Sequence, residues 1–397
     1  MNSSPQHGWF AGLRHVLWWV LAVVALILGY LLFYPVPLHP YAWMPPLNPG
    51  TAGPRFKPTQ DFAKAVPLAA TLVETRFASA GKPENFGPED VAISPGDRQL
   101  YAGLGDGSIV RVDPESGDAS VYANTGGRPL GVSFDASGDN LYVADARRGL
   151  LVVDMKAAVP KPKILANTVD GEPVRFADNL DVAPDGKVYF SAPTRTHTLE
   201  QITLDVFESR PTGRLLRYDP ATGMADTLLD NLFYANGVAV SQDGTFVLVA
   251  EFLAFRISRY WISGPNAGSH DVFIDGLPGY PDNITTTPDG TFLVGLSLER
   301  IALLDKLRPM PWAVKVLYRL QPVLGQKPRC PGYVLELTPY ATVKRFIATE
   351  ARDTQVTGAT VLRSKGGKDT DVFMGSLVVH AVRRMRLAPV TSQRKSE

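Results

Sequence analysis

The stretch Leu180-Asp-Val-Ala-Pro-Asp-Gly-Lys-Val-Tyr-Phe-Ser191 decides the fold. Asp185-Gly186 stands between short runs of apolar and aromatic residues, which marks a β-hairpin whose turn needs a residue at ease with positive φ. The unit returns as Val238-Ala-Val-Ser-Gln-Asp-Gly-Thr-Phe-Val-Leu-Val and as Ile284-Thr-Thr-Thr-Pro-Asp-Gly-Thr-Phe-Leu-Val. Looser copies begin at Val91 and Val132, and a degenerate one runs from Thr360 to Met374. Third strands are expected at Ser108–Asp113, Gly149–Asp154, Gly213–Asp219 and Arg256–Trp261, and fourth strands at Ala119–Ala123, Ala225–Leu229 and Asp271–Ile274. Four strands per unit, at spacings of about 40–60 residues, are the blades of a propeller. The expected fold is all-β: a six-bladed β-propeller over residues 68–388, with Thr71–Phe77 giving the last blade its outer strand and removing the open edge. The competing architecture, a two-sheet sandwich, does not repeat one unit six times.

The repeat fixes a register. Glu89, Asp178, Asn236 and Asp282 each lie eight residues ahead of a turn position, at Asp97, Gly186, Gly244 and Gly290. Inner strands of a propeller all run the same way along the channel, so matching positions form a ring at one axial level. Blade two places Leu130 there, and blade six Gly358 or Ala359. Carboxylate and amide oxygens converging without a Lys or Arg make a site for a hard cation, Ca²⁺ above all, which takes about 6–8 oxygen ligands in irregular geometry. Another divalent cation would also fit. The alternative is that these residues only cap turns at strand starts. Asp90, Asn179 and Asn283, one residue further on, are reserve candidates.

An ion with an open coordination position polarises a carbonyl and lowers the pKa of bound water, and a carboxylate beside it can act as general base. Asp282 and Glu89 are the expected catalytic pair, with a small-molecule ester or lactone as substrate. His197 and His380 are further candidates for the base, with ordinary loop positions as the competing reading. The chain has no Gly-x-Ser-x-Gly elbow and no nucleotide-binding glycine motif. Its 40 basic and 39 acidic residues nearly cancel, which gives no reason to expect nucleic acid as a partner. Cys330 is the single cysteine, which excludes an internal disulfide and a cysteine-based metal site, and is read as a loop residue.

Val16–Tyr34 is uncharged, with Trp18 and Trp19 at one end and Tyr30 and Tyr34 at the other. That is the length and edge chemistry of a single transmembrane helix. Arg14 and His15 precede it and no Lys or Arg follows until Arg55, so the N-terminus (residues 1–15) is expected in the cytoplasm and the propeller outside. A cleaved signal peptide competes, but the run is long and no small-residue cleavage site follows. Residues 35–67, with nine prolines, read as a stiff spacer, and 389–397 as a polar tail. An insertion at about 301–328 carries apolar residues at helical intervals, broken by Pro309 and Pro311, beside Lys306, Arg308, Lys315 and Arg319. It fits a lid, a membrane-leaning helix or a packed flank.

Gly87-Pro-Glu-Asp, Gly127-Arg-Pro-Leu-Gly, Pro211-Thr-Gly-Arg-Leu-Leu-Arg-Tyr-Asp-Pro, Ala235-Asn-Gly-Val-Ala-Val-Ser, Val249-Ala-Glu and Leu277-Pro-Gly-Tyr-Pro-Asp-Asn-Ile together resemble the strictosidine synthase-like family, from about Leu68 to Leu387. That group stands with the gluconolactonases and paraoxonases, so the resemblance implies a six-bladed propeller with Ca²⁺ in its channel and hydrolysis of lactones and aryl esters. It implies metal ligation by Glu89, Asn236 and Asp282, with Asn283 as a further ligand. Two departures matter. Relatives read Phe-x-Asn-Asp-Leu where this chain has Phe176-Ala-Asp-Asn-Leu, which puts Asp178 at the ligand position. The condensing enzyme's catalytic Glu, expected shortly before Gly375-Ser376, has no counterpart here. Amine–aldehyde condensation is therefore disfavoured against hydrolysis, and a non-catalytic propeller with a structural metal stays as the second reading.

Overall fold

A computed structural model describes residues 6–50, 54–59, 65–81, 86–324, 332–348, 354–364 and 369–387. Cys330 and the expected tail lie outside the described residues. The chain divides into two compact units, 45–301 with 328–397, and 1–44 with 302–327.

The larger unit is the expected six-bladed β-propeller, built from six four-stranded antiparallel sheets. The inner strands are Val91–Ile93, Pro129–Phe134, Leu180–Val182, Ala235–Val240, Gly279–Thr286 and Ala359–Arg363. Each Asp-Gly hairpin sits where the sequence places it: Val182 pairs with Val188 across the turn at Gly186, and Thr286 with Phe292 across Gly290. Both glycines are at positive φ, 83° and 74°. In the first blade that role falls to Arg98 (φ 59°), one residue past the register position.

The core is a series of layers between neighbouring blades. Leu141, Val143, Leu151 and Val153 of blade two meet Ala92, Tyr101 and Ile109 of blade one on one face. On the other face Tyr142, Ala144 and Leu150 meet Leu180, Val188 and Phe190 of blade three. Alternate residues of one strand thus serve two layers, which is why these strands read as nearly continuous apolar runs. Burying each such aliphatic side chain contributes about 1.5–3 kcal/mol.

The ring closes differently from the sequence expectation. Thr71–Phe77 is not a strand but part of helix α2, Ala70–Ser79. The outer strand of blade six is Val66–Leu68, which straddles the expected boundary between spacer and propeller, with Val66 opposite Arg384 and Leu68 opposite Val382. Val73, Leu72 and Phe77 bring helically spaced apolar groups onto the layer between blades six and one, and Arg76 bonds Asp106 and Ser108 across it. Helical spacing, rather than the alternation of Thr71, Val73 and Thr75, decides the element.

The smaller unit is helical. Helix α1, Gln6–Phe33, contains a 20-residue segment from Arg14 of mean hydropathy 2.6, long and apolar enough to cross a membrane. The expected insertion forms helices α4, Ala302–Leu307, and α5, Pro311–Leu324, with the break at Pro309 as anticipated. Helix α3, Ile202–Glu208, belongs to the propeller.

Candidate metal centre

In five blades the ring position falls two residues ahead of the regular ladder of the inner strand, which begins at Val91, Leu180, Val238, Ile284 and Ala359; in blade two the ladder begins at Gly131, and Leu130 lies in the register shift just before it. The ring positions are thus Glu89, Leu130, Asp178, Asn236, Asp282 and, in blade six, Thr357. The sequence reading of Gly358 or Ala359 shifts by one or two residues, because the blade-six hairpin is longer: Ala359 pairs with Met374, whereas Val91 of blade one pairs with Ala102. Pairing is interrupted at these positions, by register shifts around Asn236-Gly237 and Asp282-Asn283 in blades four and five. Such breaks turn side chains out of the strand's normal alternation. Backbone bonds between blades partly replace the ladder, as from Asn283 N to Thr357 O at 2.9 Å.

One residue down, a second layer alternates around the channel: Asp90, Gly131, Asn179, Gly237, Asn283, Gly358. Odd blades carry a polar side chain and even blades a glycine. A Cβ on Gly131 would lie 2.7 Å from Asn179 Cα, and one on Gly237 2.2 Å from the Asp282 carbonyl oxygen. The glycines therefore let each odd blade's backbone come close, a constraint hidden from the sequence until blade six is aligned. Asn179 donates to Asp90 Oδ2 at 3.2 Å and accepts from Val238 N at 2.8 Å. The swapped Asp178-Asn179 order thus puts an amide donor where a carboxylate would face Asp90 unaided.

All four oxygen-bearing ring residues are buried, at 2–3% exposure. Glu89 Oε2, Asp178 Oδ1, Asn236 Oδ1 and Asp282 Oδ1 have no hydrogen-bond partner, nor do Asn283 Oδ1 and Nδ2. Burial, then the charges of Asp178 and Asp282, push the Glu89 carboxyl well above its ordinary range. Burial and the charge of Asp282 do the same for Asp178. Burial lifts Asp282 to about 7 against hydrogen bonds from Ser297 and Asn236. Arg128, missed in the sequence because it precedes the apolar Leu130, is fully buried and lowers the Glu89 and Asp178 values without reversing them. Its guanidinium is committed to the carbonyls of Gly87, Gly103 and Pro129.

Buried oxygens without donors are costly, and a cation is the natural complement to this set. The residues present fit Ca²⁺: three carboxylates, a ring amide oxygen, and a second amide from Asn283. Among the described residues no group of three or more His, Cys, Asp or Glu could hold a metal by itself. The ring carboxylates raise one another's pKa values, and a bound cation would offset that repulsion.

The histidines are placed apart from the ring. His197 Nε2 meets Glu208 Oε2 at 3.1 Å, next to Asp205, whose carboxyl burial raises to about 7. Tyr234, with φ 61°, is the group whose phenol feels both Asp205 and the ring acids Glu89, Asp178 and Asp282. His380 has Nδ1 on Glu74 of α2 at 2.9 Å and its ring packed against Phe77 and Phe86.

The sequence matches the strictosidine synthase family over residues 178–265 and the strictosidine synthase-like N-terminal family over 77–112. Strictosidine synthase-like protein 13 of Arabidopsis thaliana is 28% identical over 95% of this chain and 96% of its own. Human (Homo sapiens) adipocyte plasma membrane-associated protein is 33% identical over 73% of each chain. Among solved structures, a gluconolactonase from Xanthomonas campestris superposes with a TM-score of 0.54 at 13% identity, covering 77% of this chain and 88% of that one. Regucalcin, a calcium-binding protein from Agrobacterium tumefaciens, does so at 0.51 and 14%, covering 77% and 90%. At these identities the two structures share the fold.

Proposed function

The chain belongs to the strictosidine synthase-like family, and from that premise we propose that it is a membrane-anchored hydrolase of esters or lactones that works with a divalent cation, Ca²⁺ by preference. The observation that carries this reading is the set of four buried, unpartnered oxygens on Glu89, Asp178, Asn236 and Asp282. These residues would hold the cation, with Asn283 beside them. The gluconolactonase and regucalcin that share the fold give the reading its substrate and metal class. When bound, the cation supplies Lewis acidity toward a substrate carbonyl oxygen.

The remaining chemistry belongs to the side chains. Hydrolysis adds water to the acyl carbon and returns a proton to the leaving oxygen. Asp282 and Glu89 are the groups proposed to take up and pass on that proton as bases: burial lifts both above the usual carboxylate range in the cation-free protein, and a bound cation would bring them back toward the carboxylate form that accepts it. Phe176 and Phe252 pack on the Tyr234 ring with centroids 6.0 and 5.2 Å away, an apolar wall that limits water near the acids. Helix α1 is the proposed retained anchor, with the N-terminus cytoplasmic and the propeller on the other side.

The near-complete burial of the ring favours one other reading, a cation that only braces a ligand-binding propeller. Metal analysis and turnover of phenyl acetate and simple lactones separate the two, with Asp282→Asn as the comparison. The hydrolase reading expects metal-dependent turnover that the variant loses. It fails if the native protein retains Ca²⁺ and turns over neither class of substrate.

A further inference from the structure

Helix α5 is joined to the end of the apolar helix α1 by one side chain. The Arg319 guanidinium donates to the Leu31 carbonyl at 2.6 Å and to that of Tyr34, two carbonyls at the C-terminal end of α1. A helix end leaves its last carbonyls without intrahelical donors, and a cation there also meets the negative end of the helix dipole. Arg308, buried at the end of α4, lies over the Trp43 ring at 5.5 Å and ties the insertion to the chain leaving α1. The two helices and the anchor are therefore one body.

That body has an apolar stripe that is exposed at both ends and half-buried between them. Trp312, Val316, Leu320 and Val323 follow one another at three- and four-residue steps along α5, and Trp312 is 63% and Val323 82% exposed. Leu303, Met310 and Leu324 are exposed beside it. Lys306 and Lys315 share these helices. A soluble surface seldom leaves so many large apolar groups together, whereas a helix in the bilayer interface presents this mixture of Trp, aliphatic and basic residues. The depth is fixed by Arg319: whatever level of the bilayer receives Leu31–Tyr34 also receives the middle of α5, and Tyr30, Tyr34 and Trp312 are residues of the interface.

We propose that the insertion α4–α5 is a second membrane-binding element, seated in the headgroup and upper acyl layer of the bilayer that α1 crosses. Its occupant is lipid, and its function is to replace a single-helix anchor with a two-point attachment. The inference does not depend on what the channel catalyses.

The test uses the full-length chain in phosphatidylcholine–phosphatidylethanolamine vesicles, with Cys330→Ser removing the native thiol. Single cysteines from Trp312→Cys, Val323→Cys and, on an exposed turn of the propeller, Tyr340→Cys receive an environment-sensitive fluorophore. Labels at 312 and 323 are expected to be quenched by doxyl lipids and protected from aqueous iodide, with the reverse at 340. Val323, the more exposed position, reports even if the tryptophan change perturbs folding. Iodide access equal to that at 340 overturns the proposal. So does protection from both quenchers, which would mean a protein partner or a second copy of the chain.

Discussion

The two ends of the inner strands carry the same residue types and use them in opposite ways. At the turn end, Asp185 accepts from Lys187 N at 3.1 Å, and Asp243 from Thr245 N at 3.1 Å and the Ser241 hydroxyl at 2.7 Å. Asp289 pairs with Arg363. These acids are exposed. Partial burial opposes the charge of Asp185 and Asp243, but their hydrogen bonds prevail and hold both below the usual range, while Arg363 does so for Asp289. At the channel end, seven residues back, Asp178 and Asp282 are buried with orphaned oxygens and raised pKa values. An aspartate that caps a turn is satisfied by the chain that holds it. One that waits for a ligand is not, and that difference, rather than residue type, separates scaffold from site.

The largest effect expected from this contrast is on cation affinity. Glu89→Gln should weaken Ca²⁺ binding on the order of 100-fold or more by calorimetry, yet leave the cation-free protein at least as stable, since a neutral amide replaces a group whose charged form burial disfavours. Equal weakening by Asp243→Asn would erase the distinction between the ends. Gly237→Ala drives a Cβ to 2.2 Å from the Asp282 carbonyl and should cost about 1–3 kcal/mol in denaturant unfolding together with cation binding. Gly244→Ala, at φ 67° in the turn, should cost roughly 1–2 kcal/mol and leave the cation in place.

The third test is pH. Ring carboxyls raised in the cation-free state keep their protons near neutrality, so affinity should fall as pH drops through about 7, by about tenfold per pH unit for each proton displaced. The turn acids, held low, contribute stability that is complete above their unfolded values and is lost only as pH falls through their depressed folded values, below about 4. Unfolding and binding measured across pH 3–9 (roughly the accessible range) should therefore show two separate acid limbs. A single shared limb would mean the ends are not electrostatically distinct. The smallest effect is Asp243→Ala, about 1 kcal/mol from lost turn bonds.

Local signals carried most of the architecture. Asp-Gly between apolar runs marks a hairpin wherever it falls, so the blades and the strands Gly149–Asp154, Gly213–Asp219 and Arg256–Trp261 were legible to the residue. The ring was legible because equal offsets from equal turns mean equal height. The offset no longer counts at Thr357, where the paired arms of the hairpin are longer, with Ala359 opposite Met374. The closing strand failed for a related reason: three residues with Pro67 in the middle are too short to show alternation, and pairing with Arg384 is made across more than 300 residues. Arg128 and the Asp90–Asn179 bond depend on which blades are neighbours, and no local window contains that. His197 and His380 are set by Glu208 and Glu74, partners that residue type alone does not name.

The closing strand also has a history in time. Val66–Leu68 is among the first propeller residues to be synthesised, and its partner Val382–Arg386 is among the last. Each blade can zip its own hairpins as it emerges, but the cylinder stays an open arc until the end of the chain arrives. Throughout synthesis that arc exposes two unpaired edges, the state in which strand proteins aggregate or trade strands with a neighbour. Ring closure is then a late, long-range step whose loop entropy is met all at once, and it is expected to govern both the yield of folded protein and the rate at which the finished ring reopens.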